Sequence, residues 1–328
     1  MKPSTADARP EILAALRARA GGTDRVGFDT FMEVALYHPD LGYYRADRPR
    51  VGTEAGTDFF TSALSAPLFG RLVAAACQDL LGHRPAAQHE FVEIGAEPGD
   101  SVLAGVDHPF ACVRQVRVGE PLRITRPSVV FSNELFDAQP FRRFRHREGV
   151  WRELGVRLGD GVLEEAEIDP TAPMPDLPKD PLEGYVVDAP LRAAALAGSL
   201  AAEPWTGLFL AFDYGKSWEQ LAHAAPEGTA RSYRRHQQGS DLLAHAGDQD
   251  LTCHVCWDWI GGALSSGGFC GPRLESQEAF FMRHSAPLIE AITTSSPAGM
   301  SPEKRSLLQL LHPAHMGQKF QALWALRD

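Results

Sequence analysis

The sequence predicts an α/β fold with a Rossmann-like, mostly parallel sheet, and three observations carry that prediction. Short, nearly continuous apolar runs at residues 90–94, 128–132 and 208–212 read as strands covered on both faces rather than on one. Between them lie stretches of helical apolar spacing, and strands alternating with helices build parallel sheets. The three runs also end on Glu93-Ile94-Gly95, Ser132-Asn133-Glu134 and Asp213-Tyr214-Gly215. Polar and glycine residues at the carboxyl ends of parallel strands mark the edge where such sheets bind ligands.

The elements follow in order. Residues 9–20 carry Ile12, Leu13 and Leu16 at helical spacing behind Pro10, and Gly21-Gly22 stops them. A second helix over 28–36 is opened by Asp24 or Gly27 and broken at Pro39, before an aromatic turn from Tyr37 to Tyr44. Helical spacing returns over 68–81, and strands are expected at 90–94, 112–118 and 128–132. Residues 142–158 alternate as a hairpin turning at Glu148-Gly149, and its run of arginines is expected to form a solvated strand edge. The acidic, proline-rich stretch 169–183 is expected to be a surface excursion, and 291–299 a small-residue linker. A helix over 302–311 and a strand over 319–326 close the chain, with the sheet expected to end in the region from Gln277 to Phe320. The expected division is an N-terminal helical segment, 1–88, packed on an α/β domain, 89–328, that carries a hairpin and helical insertion at about 142–206.

Composition narrows the function. The 328 residues are 44% hydrophobic and 23% charged, which excludes fibrous and disordered chains. No apolar run reaches membrane-spanning length, so no membrane partner is expected. A formal charge of −10 disfavours nucleic acid as the main ligand. Five scattered cysteines do not form a disulfide framework, and residues 1–22 lack the apolar core of a secretory signal, so a cytoplasmic location is expected. The oligomeric state is left open.

Three segments carry chemistry. Glu93-Ile94-Gly95-Ala96-Glu97-Pro98-Gly99 runs from a strand into a glycine-bearing turn that lets a nucleotide-type ligand approach the backbone. It lacks the G-x-G-x-x-G of dinucleotide sites and suits adenosylmethionine better, because no pyrophosphate must be held. Glu120, 21 positions after Gly99, is either a ribose-binding acid or a solvated turn glutamate. Asn133-Glu134-Leu135-Phe136-Asp137 offers an amide and two carboxylates suited to gripping a guanidinium or taking its proton. The plainer alternative is a loop whose Asp137 caps the next turn. Cys253-x-x-Cys256 has no second half and reads as buried thiols rather than a metal site, so no metal is expected. No G-x-S-x-G elbow or GKS/GKT loop is present, which disfavours serine hydrolase and P-loop chemistry.

Motifs along nearly the whole chain resemble one family. They are Phe31-Met32-Glu33-x-x-Leu36-Tyr37-His38-Pro39-x-x-Gly42-Tyr43-Tyr44, Asp58-Phe59-x-Thr61-Ser62, Val92-Glu93-Ile94-Gly95, Asn133-Glu134-Leu135-Phe136-Asp137-Ala138, Asp213-Tyr214-Gly215 and Gly228-Thr229. Tyr233-Arg234-x-His236, Asp250-Leu251-Thr252-x-His254-Val255, Ser276-Gln277-x-x-Phe280-Phe281 and Met316-Gly317-x-x-Phe320 follow. Together they resemble the MidA family of class I S-adenosylmethionine-dependent methyltransferases, which is related to the mitochondrial complex I assembly-factor arginine methyltransferase. The resemblance implies a methyltransferase sheet, S-adenosylmethionine as cofactor and a protein partner presenting arginine. It assigns Asn133, Glu134 and Asp137 to catalysis, and Asp58, Thr61, Ser62, Glu93, Gly95, Gly99 and Glu120 to the cofactor. Two departures stand out: Glu97 and Pro98 fall where the family's glycine loop reads like G-P-G-x-G, and residues 100–127 leave room for one strand and little helix. They imply an alternative, a catalytically inactive binding or assembly protein on the same fold.

Overall fold

A computed structural model describes residues 5–45, 67–96, 101–294 and 301–328. Strands are numbered along the chain. The central sheet has six, β3 (Glu90–Ile94), β4 (Cys112–Val116), β5 (Ser128–Asn133), β10 (Gly207–Asp213), β16 (Cys270–Ser276) and β17 (Gln321–Arg327), in the order β16-β17-β10-β5-β3-β4. Strands β4, β3, β5 and β10 run parallel, and β17 runs antiparallel between β10 and β16.

Both faces are covered, as the apolar runs require. Val129 and Phe131 of β5 and Leu208, Leu210 and Phe212 of β10 pack in one core with α3 (Leu68–Leu81), α7 (Gln277–His284), α8 (Ala286–Thr294) and α9 (Pro302–Leu311). The alternate residues Val130, Phe209 and Ala211 pack in a second core with α4 (Leu191–Ala202) and α6 (Trp257–Ser266). Burying each large apolar side chain contributes about 1.5–3 kcal/mol, so the period-2 division of these runs fixes which helices lie on which face.

A second six-stranded sheet is antiparallel throughout: β1 (Thr5–Asp7), β8 (Val162–Ile168), β7 (Val150–Leu158), β6 (Arg142–Arg147) and β9 (Val186–Ala189) in that order, with β2 (Arg25–Gly27) also pairing β7. The helices α1 (Pro10–Arg19) and α2 (Phe28–Tyr37) share its core through Ile12, Leu16, Phe31, Phe141 and Val156. Smaller pieces complete the fold: β11 (Gly215–Lys216) pairs β15 (Val255–Cys256), β12 (Arg231–Arg234) pairs both β13 (Gln237–Gly239) and β14 (Asp250–Thr252), and α5 (Trp218–His223) opens on a Ser217–Gln220 capping box.

Several expectations are corrected. The N-terminal segment does not pack as one body on the α/β core: residues 5–45 join the inserted sheet, whereas α3 belongs to the central one. The insertion closes at Ala189, because α4 packs on the central sheet. The arginine strand is not a solvated edge. Arg142 is 5% exposed and its guanidinium grips buried Glu153 at 2.8 and 2.6 Å, while Arg143 meets Asp188 at 2.7 Å. Helix α8 runs on to Thr294 where a linker from 291 was expected, and residues 295–300 lie outside the described ones. Residues 277–284 are helical, so the sheet ends in the strands on either side, β16 and β17. As the short spacing predicts, the described residues between β3 and β5 hold one strand, β4, and no helix.

Candidate functional site

The carboxyl ends of β3, β5 and β10 lie side by side, with Glu93 in register with Phe131 and Asn133 in register with Phe212. They open into a cavity of about 1230 Å³. At its β3 wall, Glu93 is nearly buried and accepts hydrogen bonds from the Ser101 hydroxyl (2.6 Å) and the Val102 N–H (3.0 Å). Burial pushes the Glu93 carboxyl up, and these bonds partly offset it. Gly95 follows with φ +75°, and a Cβ there would sit 2.6 Å from Leu135 Cδ1. Only glycine lets the chain turn left-handed against that side chain.

The second wall is the loop after β5. Its anchor is Asp213 at the end of β10, fully buried, which accepts N–H bonds from Phe136 (2.9 Å) and Asp137 (3.2 Å) on Oδ2 and from Tyr214 (2.8 Å) on Oδ1. These bonds fold the loop back so that Asp137 points inward. Glu134 pays with a left-handed φ of +52°, a conformation that non-glycine residues rarely hold outside functional loops. Asn133 donates to Glu134 Oε1 at 3.1 Å.

Asp137 is 4% exposed, and its Oδ1 is buried with no hydrogen-bond partner among the described residues. Burial pushes its carboxyl up to about 6, against the stabilising hydrogen bond from Tyr214. Asp213 is pushed well above the usual carboxylate range by burial and then by the Asp137 charge. Two carboxylates that cannot both ionise cheaply share this corner.

Aromatic residues form the third wall. Tyr37 and Tyr44 stack with ring centres 5.4 Å apart, Tyr44 donates to buried Asp250 at 2.9 Å, and Tyr37 donates to the Ala138 carbonyl at 3.0 Å. Tyr214 and Tyr233 also line the cavity, and burial with the nearby Asp137 charge raises both hydroxyls, so they remain protonated donors. His254 meets Tyr214 edge-on at 5.6 Å.

Of the residues expected at the site, Glu93, Gly95, Asn133, Glu134 and Asp137 are brought together around this cavity. Asp58, Thr61, Ser62 and Gly99 lie outside the described residues, as does Glu97. Glu120 is not among the residues lining the cavity: it is exposed and accepts the Arg117 N–H at 2.9 Å, closing the turn after β4. Asp137 is no exposed turn cap, because the loop is held by Asp213 instead. The sequence assigned no individual role to Asp213, Tyr37, Tyr44, Tyr214 or Asp250: Asp213 and Tyr214 entered as a strand end at the ligand edge, and the others as letters of longer motifs. The signal available for Asp213 was a charged residue closing the most apolar strand of the chain. Cys253 and Cys256 are buried thiols, and burial pushes Cys256 up to about 12.

Comparison with known proteins places this geometry. Residues 113–268 match a family described as "putative S-adenosyl-L-methionine-dependent methyltransferase". The chain is 23% identical over 380 residues to the protein arginine methyltransferase NDUFAF7, mitochondrial, of Danio rerio, covering 97% of this chain and 87% of that one. It is 24% identical over 212 residues to the NDUFAF7 homolog of Drosophila melanogaster, covering 60% and 46%. A COG1565 superfamily member from Burkholderia thailandensis, solved bound to S-adenosyl-homocysteine, shares the fold with a TM-score of 0.81 at 24% identity, covering 98% of this chain and 94% of that one. A native structure described as a protein of the same superfamily and organism aligns with a TM-score of 0.77.

Proposed function

We propose that this chain, whose residues 113–268 match S-adenosylmethionine-dependent methyltransferases and whose motifs resemble the MidA family, takes an arginine side chain of a polypeptide as its methyl acceptor. Two relatives named as protein arginine methyltransferases support the reading. The observation that carries it is Asp137: a buried carboxylate with one oxygen free of hydrogen bonds, beside a second buried carboxylate and among tyrosine rings.

The residues present fit the cofactor. Gly95 and Ala96 bring backbone at the end of β3 to the cavity wall, and the cavity exceeds the roughly 300–1,000 Å³ of a typical small-molecule site, leaving room for an acceptor beside the cofactor. Gly95, Asn133 and the Glu93-braced turn would hold the cofactor, which when bound supplies an electrophilic methyl group on a sulfonium.

The chain's own residues do the rest. A guanidinium entering beside Asp137 and Asp213 provides the counter-charge that this buried pair lacks, which favours entry of a cation and desolvates it. Asp137 Oδ1 accepts one guanidinium N–H, fixing which nitrogen faces the reacting methyl, and the faces of Tyr37 and Tyr44 suit a planar cation. The nitrogen that gains the methyl must shed one proton, and Asp137, poised near 6, is the base placed to receive it. The protonated Tyr214 hydroxyl holds that carboxylate in position.

The test is methyl transfer from isotope-labelled S-adenosylmethionine to arginine peptides, followed by hydrolysis and identification of the labelled amino acid. The proposal expects methylarginine. Label on lysine, on a carboxylate or on a small molecule, with arginine unlabelled, would overturn it.

A further inference from the structure

A smaller cavity of about 390 Å³ adjoins the main one. The two share Lys216, Tyr233, Gln238 and His254, so they lie side by side against the same side chains. Their charge balance differs. Glu93, Glu134, Asp137 and Asp250 line the main cavity with Lys319 and the shared Lys216, whereas Lys216 and Arg231 face the exposed Glu227 in the smaller one.

Neither cation is neutralised from within. The Lys216 ammonium has no hydrogen bond or ion pair among the described residues. Arg231 turns only Nη1 back, to the carbonyls of Ala230 at 2.6 Å and Gly228 at 3.5 Å, which leaves the rest of its guanidinium available. The buried carboxylate nearby, Asp188, is already held by Arg143 and by the N–H groups of Thr229 and Ala230. His254 stands between the two fields, its Nδ1 buried without a partner. Burial, then Lys216 and Arg231, push its pKa down to about 4, so it is neutral and adds no charge of its own.

We propose that the smaller cavity is a specificity subsite in which Lys216 and Arg231 hold the carboxylate of an aspartate or glutamate next to the methylated arginine of the substrate polypeptide. The inference rests on the arginine reading above and adds a sequence preference to it. The main cavity takes the cationic side chain, and the adjoining one takes its acidic neighbour, so a polypeptide carrying both satisfies both fields at once. A lysine at the neighbouring position meets two cations and is rejected.

The test uses pentapeptides with a central arginine and Asp, Asn or Lys at each flanking position, titrated into the protein loaded with S-adenosyl-homocysteine, with methyl transfer measured alongside. At one flank, the Asp peptide is expected to bind about ten-fold more tightly than the Asn peptide, the factor of one charge-assisted contact. That gap closes in the Lys216→Ala, Arg231→Ala double variant, while the Asn peptide binds as before and S-adenosyl-homocysteine affinity reports an intact fold. Should the double variant fold poorly, Lys216→Glu alone is expected to turn the preference toward the Lys-flanked peptide. Equal binding of Asp and Asn peptides, or a gap that survives both substitutions, would overturn the subsite. Inorganic phosphate is the control for a free anion: phosphate bound by the wild type but not the double variant, with Asp and Asn peptides alike, also overturns it. An Asp preference in binding with no methyl transferred to any peptide leaves the subsite standing and removes the proposed reaction instead.

Discussion

Two buried aspartates each organise a loop by accepting backbone N–H groups, one in each sheet. Asp188 on β9 accepts from Thr229 and Ala230 and is paired with the Arg143 guanidinium at 2.7 Å. Gly228 just before them, at φ +70°, has no room for a Cβ, which would lie 2.4 Å from Asp188 Oδ2. Asp213 on β10 accepts from Phe136, Asp137 and Tyr214, but the charged group it meets is another carboxylate, Asp137. Around Asp188 the charges are closed off: Arg142 with Glu153 and Arg145 with Glu165 repeat the same pairing along the inserted sheet. Around Asp213 the described residues bury a negative charge without a cation, and a buried deficit of this kind marks where a ligand completes the structure.

The largest effect expected from this contrast is on Asp137. Asp137→Asn should lower methyl transfer about 10²–10⁴-fold by removing the base, while the melting temperature stays level or rises, because a neutral amide relieves the repulsion with Asp213. A parallel loss of fold and activity would erase the distinction between the two aspartates. Asp188→Ala should do the reverse. It takes the nearer of two carboxylates from buried Arg143, leaving Glu165 at 3.6 Å, and leaves the Thr229 and Ala230 N–H groups without their acceptor, so it is expected to cost about 3–5 kcal/mol in urea unfolding, with activity per folded molecule largely retained.

The pH dependence sharpens the same point. In the fold Asp137 titrates near 6, above the roughly 3.9 of unfolded aspartate, so the native state binds this proton more tightly. Its contribution to stability is therefore fully present below about pH 4 and is lost as pH rises through 6, by about 1–3 kcal/mol. Activity should move the opposite way, rising through the same interval as the base ionises. Urea midpoints and rates from pH 4 to 7.5 check both, and Asp137→Asn should flatten both curves in that window.

The elements most legible in the sequence were those whose signals are local. Strand β3, helix α3 and helix α9 have the predicted bounds, because glycines, prolines or polar turns punctuate continuous apolar spacing. The hairpin turn at Glu148-Gly149 was equally local. What failed depended on distant partners. The arginines of β6 look solvated by alternation alone, since the acids that bury them, Glu153, Glu165 and Asp188, lie 11 to 45 positions away. Strand β16 carries mostly exposed or half-buried residues and shows no apolar run. At the site, Asn133, Glu134 and Asp137 were found as polar interruptions of an apolar segment. Asp213 and the tyrosines act through contacts of 76 to 206 positions that no spacing rule reads, such as Tyr44 with Asp250.

Two smaller effects probe the other residues expected at the cofactor. Glu97→Gly restores the glycine of the family's G-P-G-x-G pattern and should tighten S-adenosyl-homocysteine binding by about 1–3 kcal/mol, since the resemblance puts a like charge there against the ligand's carboxylate. An unchanged affinity would point to the short chain between β3 and β5 as the difference that matters. Glu120→Gln should be almost silent in cofactor binding and within about 0.5 kcal/mol in stability, because its exposed carboxylate only closes a turn. A large loss of cofactor affinity would return Glu120 to the ribose.

The most direct measurement is calorimetric titration of one arginine pentapeptide into S-adenosyl-homocysteine-loaded wild type and Asp137→Asn. An acceptor site built on an unpaired buried carboxylate predicts peptide binding weakened by about 2–5 kcal/mol in the variant, with S-adenosyl-homocysteine affinity unchanged. Undiminished peptide affinity accompanied by loss of S-adenosyl-homocysteine binding would contradict it and assign Asp137 to the cofactor.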